Sequence, residues 1–185
     1  MALIETPICN FGEKIHTFKL KSTNEKLASL ENLKGKNGTL IMFICNHCPY
    51  VKAVIDEIVI VTNTLLKEDI KSVAIMSNNV IEYPEDSFEN MIKFSKKHNF
   101  NFPYLFDETQ EVAKKYGAVC TPDFFGYNKS DELQYRGRIR KLNNLKPELN
   151  GQSELLLAMK EISKTSKGPQ KQFPSMGCNI KWKNS

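Results

Sequence analysis

The chain has 185 residues, the size of one ordinary domain, and is long enough to bury a hydrophobic core without a disulfide scaffold. Hydrophobic residues make up 41% and charged residues 25% of it, which excludes a disordered or fibrous protein. The net charge of +5 comes from lysines that are scattered without a nucleic-acid-binding motif, so we expect no nucleic-acid partner.

The amino-terminal part of the chain alternates strand and helix patterns. Residues 15–20 alternate apolar and polar side chains, as in an edge strand, and residues 39–44 (TLIMFI) form the apolar run of a strand buried on both faces. Apolar residues then recur at helical spacing from Pro49 to about Lys67, and Pro49 suits a helix's first turn. The patterns that follow predict a strand over 72–77, a helix over 85–98, a strand over 104–106 and a helix over 107–116.

The rest of the chain predicts a hairpin of residues 123–127 and 133–139 and a helix over 152–163. We therefore expect one α/β domain over residues 1–163, with a central mixed sheet flanked by helices on both faces.

Residues 164–185 carry two prolines, two glycines and five lysines. This composition predicts a loosely ordered tail after the domain. Phe173, Met176 and Trp182 are the residues that would dock it on the body.

The five cysteines, at positions 9, 45, 48, 120 and 178, are an odd number. The N-terminus shows neither the basic flank nor the apolar core of a secretory signal, so we expect a cytoplasmic protein without structural disulfides. Apolar stretches stay far below the ~18 residues of a membrane span, so we expect no membrane partner.

One cysteine pair, Cys45-Asn46-His47-Cys48, lies where a buried strand ends and a helix begins. Free N–H groups at a helix start stabilise a thiolate, and two intervening residues allow the sulfurs to bond. A C-x-x-C at such a junction predicts a redox dithiol. We expect the two sulfurs at the mouth of a groove, with a Cys45–Cys48 disulfide as the redox group and neither a cofactor nor a metal besides.

Two alternatives remain for the pair. In the first alternative, the pair is half of a zinc site, although no second close pair of ligands exists among His16, His98, Cys120 and Cys178. Otherwise the two cysteines are small hydrophobic residues of the core, where cysteine is common.

Four segments together resemble the peroxiredoxin-like thioredoxin family, a bacterial group classed with the alkyl hydroperoxide reductase / thiol-specific antioxidant (AhpC/TSA) superfamily. They are residues 45–51 (CNHCPYV), 116–125 (YGAVCTPDFF), 135–139 (YRGRI) and 177–182 (GCNIKW). The resemblance covers nearly the whole chain. It implies a thioredoxin-like fold with an N-terminal strand extension and an antioxidant or other thiol redox role.

Within this resemblance, a thiol–disulfide oxidoreductase would use Cys45 as nucleophile and Cys48 to resolve the mixed disulfide. A thiol peroxidase would instead use Cys48, which precedes Pro49 as a peroxidatic cysteine does, with Cys45 resolving. Cys45 occupies the place where peroxidases have Thr or Ser. The substrate would be a protein or small-molecule disulfide or a peroxide, and a thiol would donate electrons. A binding module without turnover is the alternative from another class.

Several residues are expected to support the pair. His47 would favour the thiolate as a partly charged neighbour, and the alternative is a solvated surface imidazole. Thr121-Pro122 resembles the cis-proline loop that faces the active cysteines, although an ordinary turn proline is the base-rate alternative. Cys120 and Cys178 are candidate additional redox thiols.

The three arginines fall two residues apart, so Arg136, Arg138 and Arg140 would share one face of the hairpin. We keep Arg138 as a candidate for stabilising a thiolate or binding an anionic substrate group. The favoured alternative is a solvated outer face. Asp123 either lies near the active face or caps a turn.

Overall fold

The strands fall into three sheets in the computed structural model, which describes residues 3–148 and 150–183. They are β1 (Leu3–Glu5), β2 (Lys19–Ser22), β3 (Leu27–Ser29), β4 (Gly38–Phe43), β5 (Ile70–Met76), β6 (Tyr104–Phe106), β7 (Cys120–Thr121), β8 (Asp123–Tyr127), β9 (Leu133–Gly137), β10 (Leu142–Asn143), β11 (Lys146–Pro147) and β12 (Met176–Asn179). The helices are α1 (Leu30–Leu33), α2 (Pro49–Leu66), α3 (Phe88–Lys97), α4 (Glu111–Tyr116) and α5 (Glu154–Thr165).

The central sheet has seven strands in the order β3-β2-β6-β5-β4-β8-β9. β4 is parallel to β5 and β5 to β6, whereas the other pairs are antiparallel, so the sheet is mixed as predicted. The edge strand predicted over 15–20 forms only from Lys19 onward, and it is not at the edge, because β3 pairs with its outer side. The hairpin strand predicted over 133–139 ends at Gly137, because the backbone N–H of Arg138 donates to Phe173 O, outside the sheet.

Helices cover both faces of this sheet. All six residues of β4 are buried, and its side chains alternate between two cores. Leu40 and Met42 pack with residues of α2, α3 and α5, and Ile41 and Phe43 pack with residues of α1 and α4. Among the described residues, none of the helices combines the length and apolar character that crossing a bilayer requires.

The carboxyl-terminal segment is ordered over residues 164–183, which corrects the expectation of a loose tail. β12 pairs antiparallel with β1 on one side and with β7 on the other. The side chains of Cys178 and Ile180 are buried against the domain, whereas the residues predicted to dock, Phe173, Met176 and Trp182, are 38–40% exposed. Composition favoured disorder, but backbone pairing on both edges stabilises the strand.

Candidate active site

The predicted pair lies at the junction of β4 and α2. Cys48 is the residue that caps the N-terminus of α2, and Pro49 is its first residue. All of the cysteines are free thiols. Cys45 and Cys48 are only 1% and 0% exposed, so the structure does not place them at the open mouth of a groove.

The loop at Thr121 faces both sulfurs. The Thr121–Pro122 peptide bond is cis. Thr121 Oγ1 lies 3.3 Å from Cys45 Sγ, and the Thr121 carbonyl oxygen lies 3.2 Å from Cys48 Sγ. This carbonyl accepts a hydrogen bond when Cys48 is a thiol and opposes the charge when it is a thiolate.

A third sulfur completes the cluster. Cys178 Sγ lies 3.1 Å from Cys48 Sγ, and in the strand register Cys178 is directly opposite Thr121. β12 therefore fills the groove in which we expected the two sulfurs to be exposed.

These contacts make Cys48 the most acidic of the three thiols. The neighbouring Cys45 thiol lowers the pKa of Cys48 to about 5 against the opposing effect of burial, and Cys178 and the Val51 backbone N–H add to the lowering. Burial, followed by the contact with Cys48, raises the pKa of Cys45 well above its ordinary value and that of Cys178 to about 12. The electrostatics thus favour the thiolate on Cys48, whereas the resemblance assigned the nucleophile to Cys45.

His47 is held by a buried carboxylate that the sequence analysis missed. Its Nδ1 lies 2.7 Å from Asp86 Oδ2, and its ring stacks on Tyr83. Asp86 is 0% exposed and also accepts hydrogen bonds from the backbone N–H of Asn46 and from Asn78 Nδ2. The hydrogen bond with Asp86 raises the pKa of His47, with burial acting in the opposite direction. His47 is therefore an oriented side chain of the site and not a solvated imidazole.

The same residues form a small group of potential metal ligands. Cys45, His47 and Asp86 each place one ligand atom within 4.8 Å of the others. A structural zinc site takes four ligands, and this carboxylate already accepts the hydrogen bonds described above. His16 packs against Tyr116, and His98 against Phe94, so the histidines considered for zinc lie elsewhere.

The substitution Asp86→Asn is expected to lower the pKa of His47 toward the ordinary histidine value of about 6.5 or below it, because the hydrogen bond that raises it is weakened while burial remains. A titration of the His47 ring protons by NMR measures this pKa. Glu85→Gln is the matched control, since Glu85 contributes the smallest of the named effects on His47. Equal shifts in the two variants would contradict the assignment.

The arginines do not form a solvated face. Arg136 is 8% exposed, donates from Nη2 to Asp123 Oδ2 at 2.9 Å and to Gly117 O at 2.7 Å, and stacks on Phe125. Asp123 is 0% exposed; besides pairing with Arg136, its carboxylate accepts a hydrogen bond from the Val119 backbone N–H, as a loop-capping residue does. This buried ion pair ties β9 to β8, with Arg136 directly opposite Phe125 in the strand register.

Arg138 lines a cleft instead of contacting a sulfur. Pro122, Tyr50 and Met176 also line this cleft, whose volume is about 710 Å³. The Arg138 guanidinium donates to Glu154 Oε1 at 2.8 Å and lies over the ring of Phe173. Its charge is therefore already paired with that of Glu154.

Cys120 is buried in β7, where its thiol is hydrogen-bonded to a backbone oxygen. It is 0% exposed, and its thiol donates to Pro122 O at 3.8 Å. Burial raises the pKa of the Cys120 thiol far above its ordinary value. A buried, weakly acidic thiol of this kind is typical of a core residue.

Solved structures resemble all or part of the chain. An uncharacterized conserved protein from Geobacillus kaustophilus is 39% identical, with a TM-score of 0.92, over 100% of this chain and 98% of that one. A hypothetical protein from Sinorhizobium meliloti is 32% identical, with a TM-score of 0.89, over 98% of each chain. The thioredoxin domain of a thiol–disulfide oxidoreductase from Bacteroides vulgatus is 13% identical, with a TM-score of 0.58, over 68% of this chain and 86% of that one.

The similarity to the Bacteroides vulgatus protein concerns the fold alone, which is thioredoxin-like, as predicted. A search of the curated proteins finds no match. The model of the AhpC/TSA family matches residues 11–141, which include Cys45, Cys48 and the cis-proline loop. The predicted resemblance is thereby confirmed, and the chain belongs to the AhpC/TSA family.

Proposed function

We propose that this protein is a thiol–disulfide oxidoreductase in which Cys48 is the attacking thiolate and Cys45 resolves the mixed disulfide. The observation that carries the proposal is the placement of Cys48 at the start of α2, beside the thiols of Cys45 and Cys178, where its pKa falls to about 5. A thiolate is the nucleophilic form of cysteine, and a pKa of about 5 favours this form of Cys48 at neutral pH.

The reaction would proceed by two exchanges. The Cys48 thiolate attacks one sulfur of a substrate disulfide, and the second substrate sulfur leaves as a thiolate. Cys45 then passes its proton to a departing thiolate and attacks Cys48 Sγ, which forms the Cys45–Cys48 disulfide and releases the first substrate sulfur. Two electrons move from the dithiol to the substrate, and a thiol donor restores the dithiol.

Access to Cys48 requires movement of β12. Cys48 is 0% exposed and Cys178 lies directly against it, so a substrate disulfide meets the sulfur when β12 separates from β7. The contact to be broken is short, because β7 has two residues in this pairing.

The residues at the positions of a peroxidase's hydrogen-bond donors favour disulfide exchange over peroxide reduction in this protein. A peroxidase stabilises the leaving oxygen with hydrogen-bond donors, which the resemblance assigns to a Thr or Ser and an arginine. Here Cys45 replaces the hydroxyl residue, and the buried Arg136 donates to Asp123 and Gly117.

The test is the reaction of the reduced protein with an aromatic disulfide, followed by the release of the first coloured thiolate. We expect Cys48→Ser to slow this release about a hundredfold or more, since it removes the nucleophile. Cys45→Ser should keep the rate within about tenfold, because it leaves the attacking sulfur in place. Cys120→Ser serves as the matched control and should react as the unchanged protein does.

Two results would contradict this assignment. Loss of the first release in Cys45→Ser, with Cys48→Ser still active, would make Cys45 the nucleophile. Faster oxidation of Cys48 by hydrogen peroxide than by the aromatic disulfide, measured by stopped flow, would favour the peroxidase.

A further inference from the structure

We propose that Cys178 is a third redox thiol, which closes a disulfide with Cys48 and so brings the carboxyl-terminal strand into the reaction. This inference rests on the proposed function, because it requires a mixed disulfide on Cys48. Its starting observation is the 3.1 Å separation between Cys48 Sγ and Cys178 Sγ, two residues that lie 130 positions apart in the chain.

The fold holds Cys178 in this place from both sides of β12. On one side, the Ser175 backbone N–H donates to Thr6 Oγ1 and Ser175 Oγ donates to Pro122 O. On the other side, the Lys181 backbone N–H donates to Asn78 Oδ1, and the Lys181 carbonyl oxygen accepts from Asn79 N. The strand therefore returns Cys178 to the same position each time it docks.

Gly177 permits the close approach of the strand to the cis-proline loop. A Cβ atom at this position would lie 2.0 Å from the Thr121 carbonyl oxygen, so a larger residue does not fit. The neighbouring Cys178 consequently lies within hydrogen-bond distance of Cys48.

Cys178 would resolve the mixed disulfide by the same kind of exchange as Cys45. After Cys48 has formed a mixed disulfide with a substrate sulfur, β12 docks and Cys178 gives its proton to the departing substrate thiolate. Cys178 Sγ attacks Cys48 Sγ, the Cys48–Cys178 bond forms, and the bond between Cys48 and the substrate breaks. Cys45 can afterwards attack Cys48 and release Cys178 as a thiol, with no further change in oxidation state.

The resulting disulfide also gives the thiol donor a point of attack. Cys178 and Cys48 are both buried, so an external thiolate needs β12 to move before it can attack the Cys178 sulfur. Attack there expels Cys48, which is the better leaving group because its pKa is the lowest of the three thiols.

The experiment uses the full-length chain with Cys45→Ser, so that Cys178 is the resolving thiol under test. The reduced variant is treated with oxidised glutathione, quenched in acid and mapped by mass spectrometry without reduction. We expect a Cys48–Cys178 disulfide and no lasting glutathione on Cys48. The double variant Cys45→Ser/Cys178→Ser should instead retain glutathione on Cys48. Cys45→Ser/Cys120→Ser is the matched control and should still form the Cys48–Cys178 disulfide.

The outcomes separate the two proposals. Glutathione that persists on Cys48 in Cys45→Ser, with Cys178 still a free thiol, would overturn the role of Cys178 and leave the reactivity of Cys48 intact. Absence of any adduct on Cys48 in the double variant would overturn the proposed function and this inference together. A thermal melt by circular dichroism checks that each variant is folded, and serine is close to cysteine in volume.

Discussion

Replacing Arg136 with methionine is expected to lower the free energy of unfolding by about 3–5 kcal/mol, because it leaves the buried carboxyl group of Asp123 without its partner. Asp123 is 0% exposed and Arg136 is 8% exposed. The guanidinium also donates to Gly117 O, which directly follows α4, and lies over the ring of Phe125 in β8. Its loss therefore removes contacts with both of these elements. Urea denaturation at pH 8 measures the change.

The size of this loss should depend on pH. Burial raises the pKa of Asp123 to about 6, although Arg136 acts to lower it. Removal of the guanidinium raises this pKa further above the value of about 3.9 that the group has in an unfolded chain. An Asp whose folded-state pKa is raised contributes stability that is lost as the pH rises through that pKa. The variant should therefore lose more stability at pH 8 than at pH 5.

Arg138→Met is the matched control. Arg138 pairs with Glu154, and the two side chains are 24% and 31% exposed. Solvent screens such a pair, so we expect a loss of about 1 kcal/mol or less. An equal loss in the two variants, or the same loss for Arg136→Met at pH 5 and pH 8, would contradict the importance of the buried pair.

The central sheet was predictable because burial leaves a direct pattern in the sequence. A strand covered on both faces needs apolar residues at every position, and the run at 39–44 coincides with β4 to within one residue at each end. The position of the cysteine pair was predictable from the same strand, because the end of β4 marks where α2 begins. The cis peptide bond at Thr121–Pro122 was predicted from the resemblance and not from the local sequence.

The missed features depend on contacts between distant parts of the chain. Asp86 reaches His47 across 39 residues, and nothing in the spacing of a Pro-Glu-Asp turn indicates that contact. β12 has the sequence MGCN, and its stability comes from pairing with two other strands, which a pattern of single residues does not record. Arg136 was assigned to a solvated face because its partner Asp123 lies on the neighbouring strand.

Replacing Gly177 with valine is expected to expose Cys48. The valine side chain would overlap the Thr121 carbonyl oxygen, to which a Cβ would lie at 2.0 Å, and backbone cannot move aside as a flexible side chain can. β12 should then lose its pairing with β7. Suppose that separating β12 from β7 costs about 3 kcal/mol in the unchanged protein. The two strands stay apart in the variant, so the alkylation rate of Cys48 should then rise by about a hundredfold.

The measurement is the rate at which iodoacetamide modifies Cys48 at pH 8, read by mass spectrometry of the peptide that contains it. This pH keeps Cys48 ionised even if the loss of contact with Cys178 raises its pKa from about 5. Met176→Val is the matched control, since Met176 lies beside Gly177 on β12 and is 40% exposed. It should react like the unchanged protein. An unaltered rate in Gly177→Val, with the variant folded, would mean that β12 does not limit access to Cys48 and that substrates reach it by another route.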